Sequence, residues 1–207
     1  MFEPDVTQTS PPTALPDEET DGRRRRGQDN RARIVAAMLD LIRAGDVSPS
    51  AEQVAARADV GLRTVFRHFK DMDSLYREMS EVIESELRTI IVRPFLAADW
   101  RERMVELVHR RAAAFEKIAP FKRASDAYRH RSRFLSQDNS RLVAALREII
   151  ERTALPALAD DRPRLEALDL LLSFESWSRL RLEQELSPQQ ATQVLEVAVN
   201  RLVADPG

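Results

Sequence analysis

Apolar residues recur at steps of three and four along almost the whole 207-residue chain, while the alternation typical of strands is nearly absent. Ile34, Val35, Met38 and Ile42 show this spacing near the N-terminus. Residues three or four apart lie on one face of an α-helix, so the spacing predicts amphipathic helices. Only five glycines occur, which disfavours turn-dense all-β folds. The sequence therefore predicts an all-α fold.

Prolines and capping residues divide the pattern into about nine helices, of which three are short and early and the others are mostly long. Pro94 and Pro120 are expected to end helices, because proline lacks the N–H that a helix interior needs. Ser187-Pro-Gln-Gln190 has the form of a capping box. The first predicted helix begins beyond Asp29 and ends near Gly45, and the others span about 50–58, 62–69, 71–92, 100–118, 121–135, 140–155, 163–186 and 187–203.

Charge is distributed unevenly, although the net charge is only −2. Residues 1–22 carry six acidic and no basic side chains, together with four of the eleven prolines. Such a segment has too little apolar surface for a core, so we expect residues 1–27 to form a disordered acidic tail and an arginine arm. Residues 23–70 carry eleven basic and five acidic side chains. This basic block favours a polyanionic partner, although a solvated charged face would have the same composition.

Composition argues against several classes of protein. There is no cysteine, and the three histidines are widely spaced, which excludes disulfides and thiolate sites and disfavours a metal centre. No apolar run approaches the about 18 residues of a membrane span, and no secretion signal begins the chain. No glycine-rich phosphate loop, Gly-x-Ser-x-Gly or His-Glu-x-x-His motif occurs. We therefore expect a bacterial cytoplasmic protein that is not an enzyme and holds no metal or cofactor.

Residues 31–69 predict three helices with a short turn between the second and the third. At 100° per residue, one side of the third helix carries apolar residues and the opposite side carries polar ones. The apolar set, expected to pack inward, is Leu62, Val65, Phe66 and Phe69. The polar set, expected to point outward, is Arg63, Thr64, Arg67 and His68. Arginine can pair with guanine and threonine can contact thymine or phosphate, so the pattern suits a recognition helix in a DNA major groove.

The segment from Ala55 to Leu75 resembles the helix-turn-helix signature of TetR (tetracycline-repressor-type) transcriptional regulators. It has an alanine in the second helix, a valine at the turn, the run Thr64-Val-Phe-Arg-His-Phe69 and a capped fourth helix. The resemblance implies a homodimeric repressor on a near-palindromic operator, with a helix-turn-helix domain at 28–73 and a larger helical domain at 74–207 that binds a small molecule and dimerises.

Position by position, the resemblance assigns base contacts to the first turn of the third helix and phosphate contacts around it. The arginine arm adds contacts to the minor groove or to phosphates. The predicted DNA-binding residues are Arg23, Arg24, Arg25, Arg26, Ser50, Leu62, Arg63, Thr64, Phe66, Arg67, His68 and Lys70. In the family pattern a tyrosine is frequent at the position of Phe66 and a lysine at the position of Met72. Two contacts to the DNA phosphate backbone are therefore expected to be missing.

The larger domain carries aromatic residues, methionine and one arginine on otherwise apolar helix faces. Such residues can line a pocket for an apolar or amphipathic effector, although ordinary core packing gives the same pattern. The candidate pocket residues are Trp100, Met104, Arg111, Phe115, Tyr128, Phe134, Phe174 and Trp177. Arg111 is the most informative, since a buried arginine needs an anionic or polar partner.

The last two predicted helices have more apolar surface than one stripe requires, which suits a two-fold four-helix bundle between protomers. The predicted interface residues are Leu168, Leu172, Ala191, Val194, Leu195, Ala198 and Leu202. The alternative to a ligand-responsive repressor is a helical DNA-binding regulator with no small-molecule effector.

Overall fold

The computed structural model describes residues 18–91 and 93–204, where nine α-helices and no strands are found, which confirms the all-α fold. Within these ranges no helix combines the length and apolar character needed to cross a membrane. A 3-10 turn at Arg129–Arg131 and a π-helical turn at Arg179–Glu183 complete the helical structure. The helices are α1 Glu18–Arg43, α2 Ala51–Arg57, α3 Leu62–His68, α4 Met72–Ile91, α5 Trp100–Tyr128, α6 Arg133–Leu158, α7 Arg162–Leu171, α8 Phe174–Ser178 and α9 Pro188–Val203.

Helix α1 begins earlier than the sequence pattern predicts. It includes Gly27 and the backbone of the four arginines at 23–26, which were expected to form a flexible arm. Acidic residues at the first turn and arginines four positions later favour helix formation through the helix dipole and i,i+4 pairing. Residues 1–17 of the predicted acidic tail lie outside the described residues.

Helix α5 continues through Pro120 to Tyr128 rather than ending before the proline. Ile118, Phe121 and Ala124 are buried on both sides of Pro120, so packing outweighs the lost backbone hydrogen bond. After the 3-10 turn, Ser132 begins α6 by accepting a 2.9 Å hydrogen bond from the Leu135 N–H. The expected break between residues 135 and 140 is absent, and α6 runs without interruption to Leu158.

The long helix expected over 163–186 is divided into α7, α8 and the π-helical turn. Ser173 starts α8, where its hydroxyl accepts a hydrogen bond from the Ser176 N–H at 3.1 Å. Serine at a helix start satisfies an N–H that has no partner within the helix. Ser173 is the residue in the sequence from which this break could have been predicted.

Two buried clusters organise the described residues. The first, which we call the head core, joins α1 to α3 with the start of α4 and includes Ile34, Met38, Val54 and Val65. The second, the body core, joins α5 to α9 with the end of α4. Helix α4 contributes to both, with Leu75 in the head core and Leu87 in the body core.

Residues of α5 and α6 also reach the head core, which ties the two parts together. Phe121, Ala124 and Leu135 are buried there. The rings of Tyr76 on α4 and Tyr128 at the end of α5 stack with centroids 4.8 Å apart. The head is therefore packed on the body as well as connected to it by α4.

Candidate nucleic-acid interface and effector cavity

Helices α2 and α3 meet in a short turn that α1 holds in place. Ser50 begins α2 with a capping box, in which its hydroxyl accepts from the Gln53 N–H and the Gln53 side chain accepts from the Ser50 N–H. In the turn, Asp59 adopts a positive φ of 53°. The Arg33 guanidinium donates to the carbonyls of Ala58 at 2.6 Å and Asp59 at 3.4 Å. These bonds fix the angle between α2 and α3.

The inner face of α3 is narrower than predicted. Val65 and the following Phe69 are each 1% exposed, as expected for residues that pack on the head core. Leu62 and Phe66, also predicted to pack inward, are instead 37% and 49% exposed. They lie at the edge of the apolar face, where the first and second turns of α3 meet solvent. The resemblance to a DNA-reading helix had assigned both to the DNA side.

Basic side chains of the head fall into two groups. Arg31, Arg33, Arg43 and Arg57 bind carboxylates or carbonyls of the head and its neighbours, including Asp40 and Glu86. The second group, Arg63, Arg67 and Lys70, is exposed and has no ion-pair or hydrogen-bond partner among the described residues. Three positive charges are therefore free on α3 and directly after it. Thr64, between them, is half-buried.

His68 differs from the expected outward-pointing side chain. It is half-buried, and its Nε2 has no hydrogen-bond partner among the described residues. Burial, and then the nearby charges of Arg67 and Arg31, lower the pKa of His68. The lowered pKa favours the neutral imidazole in the protein without DNA.

Arg31 on α1 is a structural residue that the sequence reasoning did not identify. Its Nη1 donates to the carbonyl of His68 at 2.7 Å, and its Nε donates to Glu78 of α4 at 2.9 Å. The guanidinium carbon also lies 4.5 Å from the centroid of the Phe69 ring. Arg31 thus joins α1, the end of α3 and α4. The spacing of a single helix carries no signal for a contact between residues so far apart in sequence.

The remaining predicted DNA contacts are placed as follows. Ser50 is exposed at the start of α2. The backbone of Arg23 to Arg26 lies in the first turns of α1, and the side chains of these residues lie outside the described part of the structure.

A cavity of about 500 Å³ lies between the end of α4, the segment after it, α5 and α6. Of the candidate pocket residues, Arg111 and Phe115 line it. The other six candidates do not. Trp100, Met104, Phe174 and Trp177 belong to or pack on the body core, Tyr128 stacks on Tyr76, and Phe134 lies beneath the guanidinium of Arg77. The pattern of apolar residues cannot separate a cavity wall from a filled core, because both require the same helix face.

Four of the predicted interface residues are packed inside the protomer. Leu168, Leu172, Ala191 and Leu195 are at most 4% exposed in the body core, so they cannot reach a partner. Ala191 and Leu195 belong to an i,i+4 stripe of α9 that packs against α5 and α7. Val194 and Val197 are 45% and 46% exposed on the opposite side of α9. Ala198 and Leu202, at the edge of the stripe, are half-buried.

Two solved structures resemble this chain over most of its length. A transcriptional regulator from Rhodococcus sp. Rha1 has 14% sequence identity and a TM-score of 0.64, with 84% of this chain and 95% of that chain covered. A TetR family transcriptional regulator from Pseudomonas syringae pv. tomato str. DC3000 has 20% identity and a TM-score of 0.52, with 91% and 97% covered. No family model matches the sequence, and no curated protein matches it. The chain has the all-α fold of a TetR family transcriptional regulator.

Proposed function

We propose that the protein is a sequence-specific DNA-binding transcriptional regulator of the TetR family that acts as a homodimer on a near-palindromic operator. The observation that carries the proposal is the group of three unpaired cations, Arg63, Arg67 and Lys70, exposed on α3 and directly after it. The other arginines whose side chains the structure describes in α1 and α2 bind carboxylates or carbonyls of the protein. A helix of this size fits the major groove, and cations without internal partners are free to bind it.

The contacts divide by position on α3. Arg63 lies in the first turn, where side chains of a recognition helix reach base edges. Lys70 follows the end of α3, and we assign it to a phosphate contact. Arg67 lies one turn after Arg63, with the exposed ring of Phe66 beside it. Val65 and Phe69 anchor the opposite side, so α3 is held against the head core while these side chains face outward.

The test is selection of bound DNA from a random pool by the full chain, followed by the variants Arg63→Ala and Arg67→Ala. Each bidentate arginine–guanine pair contributes about 1–3 kcal/mol of discrimination, so we expect relaxed preference at particular base pairs. Arg43→Ala, at the far end of α1, is the matched control and should leave the selected sequence unchanged. Recovery of no preferred sequence would contradict the proposal, and a uniform loss of affinity would assign the two arginines to phosphates.

We further propose that the regulator is a ligand-responsive repressor. Support comes from the cavity, because Leu87 and Ile90 near the end of α4 form part of its wall. The same helix begins in the head core with Leu75. A ligand that binds better to one placement of α4 would favour one spacing of the two heads in the dimer and so change operator affinity.

The competing proposal is a DNA-binding regulator without an effector. Crystals of the free protein and of the ligand complex distinguish the two. Equal spacing of the heads in both crystals would contradict coupling through α4, and a changed spacing supports it.

A further inference from the structure

Arg111, in the middle of α5, is a buried cation whose hydrogen bonds are incomplete. It is 4% exposed, and its two terminal nitrogens donate to the carbonyls of Leu172 and, at 2.5 Å, Leu146. Its Nε is buried and has no hydrogen-bond partner among the described residues. A buried donor left without an acceptor is unfavourable, so the hydrogen bonds of this cation do not fully offset its burial.

No carboxylate of the described residues binds Arg111. Asp169 is the acid whose charge acts on it, but the Asp169 carboxylate is bound by Arg147 at 3.0 Å. Burial lowers the pKa of Arg111 to about 10. The guanidinium therefore remains charged at pH 7, and its charge is not neutralised by direct contact with an acid.

The cavity that Arg111 lines is positively charged. Four further arginines line it, and no acidic residue does; these arginines are Arg93, Arg103, Arg110 and Arg152. Arg110 is paired with Glu106, and Arg152 lies 3.5 Å from Glu148. Arg103 donates to the Ala97 carbonyl, and neither it nor Arg93 binds a carboxylate among the described residues. Three of the five cations therefore lack an acidic partner.

The rest of the cavity wall is apolar. Side chains from α4, α5 and α6 form it, including Leu87, Leu107, Phe115, Ile118 and Ile149. The volume of about 500 Å³ lies within the range of small-molecule sites. An apolar chamber with several uncompensated arginines matches a ligand that has one anionic group and an apolar body.

We propose that the cavity binds an amphipathic carboxylate, whose head group pairs with Arg111 and with Arg103 or Arg93, and whose apolar body packs on α4, α5 and α6. The carboxylate supplies the anionic partner that Arg111 lacks, and an arginine stays charged where it lines an apolar cavity. The assignment rests on the proposed function, since it names the chemical class of the effector. Because the body of the ligand touches α4, the same site is placed to influence the DNA-binding head.

The experiment measures binding to the full chain by isothermal titration calorimetry with three probes of equal chain length: decanoate, methyl decanoate and decylamine. We expect decanoate to bind at least about tenfold more tightly than its neutral ester, as for a charge-assisted hydrogen bond, and decylamine not to bind. Equal affinity for decanoate and its ester would overturn the proposal.

Two variants locate the head group. Arg111→Met should weaken decanoate binding by about tenfold or more and leave ester binding unchanged. Arg179→Met, at an exposed position of the body, is the matched control and should bind decanoate like the unaltered protein. If Arg111→Met does not fold, the double variant Arg93→Ala with Arg103→Ala decides, because loss of selectivity for decanoate supports the site and retained selectivity overturns it.

Operator binding, measured with and without decanoate, separates this inference from the proposed function. Decanoate binding without any change in operator affinity supports the anion site and contradicts ligand-responsive repression. Operator binding by a protein that does not distinguish decanoate from its ester overturns the anion site and leaves DNA recognition in place.

Discussion

Val65 and Phe69 could be located from sequence alone, but Leu62 and Phe66 could not. All four lie toward one side of α3 in a helical projection, yet only the first two are buried. The head core reaches only the centre of that face, so the residues at its edge remain exposed. A helical projection gives the direction of a side chain and not the width of the surface that covers it.

Polar contacts between helices were likewise outside the reach of sequence reasoning. Arg31 and Glu78 are 47 positions apart, and nothing in either helix indicates that they meet. The partners of Arg111 were also not predictable, although its apolar neighbours in the sequence marked this residue as unusual. The sequence predicted that Arg111 needs a polar partner, but its two carbonyl acceptors come from α6 and from the end of α7.

At the residue scale, His68 predicts a pH dependence of stability. Its pKa is lowered in the folded protein, so the unfolded chain binds the proton more readily than the native one. The difference in proton binding therefore adds to the free energy of unfolding. The full amount is present above the unfolded pKa of about 6.5, and it is lost as the pH falls below that value. Urea unfolding of the full chain between pH 5 and pH 7.5 should therefore show a shallower pH dependence for His68→Gln.

The control for His68→Gln is His130→Gln, a substitution at an exposed position in the 3-10 turn before α6. A pH dependence in His68→Gln equal to that of the unaltered protein would contradict the prediction.

At the scale of elements, the helix starts marked by a capping box were predicted correctly. The capping boxes at Ser50 and Ser187 begin α2 and α9 as expected, because the signal is local. Pro120 was expected to end α5 and does not. The burial of Phe121 and Ala124 in the head core keeps the helix intact, and that burial depends on residues distant in sequence.

Pro120 is predicted to reduce the stability of α5, since proline removes a backbone hydrogen bond from a helix interior. Pro120→Ala should raise the free energy of unfolding by about 1–2 kcal/mol, after allowance for the greater freedom of the unfolded chain. Urea denaturation measures the change.

Pro163 is the matched control for this substitution. It occupies the first turn of α7, where a proline is well accommodated. Pro163→Ala should leave stability unchanged or lower it by less than about 1 kcal/mol. A Pro120→Ala variant that is no more stable than the unaltered protein would contradict the prediction.

At the scale of the whole molecule, the stripe on α9 had two possible partners, the protomer's own core or a second protomer. Both choices satisfy the same apolar spacing, and the sequence offers no means to choose between them. In the structure the stripe is used within the protomer, where Ala191 and Leu195 are buried. The surface left for the proposed dimer is the opposite side of α9, which carries Val194 and Val197.

The proposed homodimer predicts that Val194→Asp yields a monomer, because it introduces an unpaired charge into the proposed interface. Val194 is 45% exposed in the protomer, so the substitution should leave the protomer folded. Sedimentation equilibrium measures the oligomeric state, and circular dichroism checks the fold.

Val143→Asp on α6 provides the control, since Val143 is also 45% exposed. It should remain dimeric. Dimerisation of Val194→Asp with undiminished affinity would place the interface elsewhere on the molecule.

Because helix α4 is shared by the head core and the cavity wall, the proposed coupling would make it a lever between the two. Its 20 residues give it a length of about 30 Å at about 1.5 Å per residue. A tilt of roughly 5° about the cavity end would displace the head end by roughly 2.6 Å over that length. This displacement is close to the length of one hydrogen bond, about 2.9 Å, so under the proposed function a small rotation within the body would be enough to break a contact between α3 and a base.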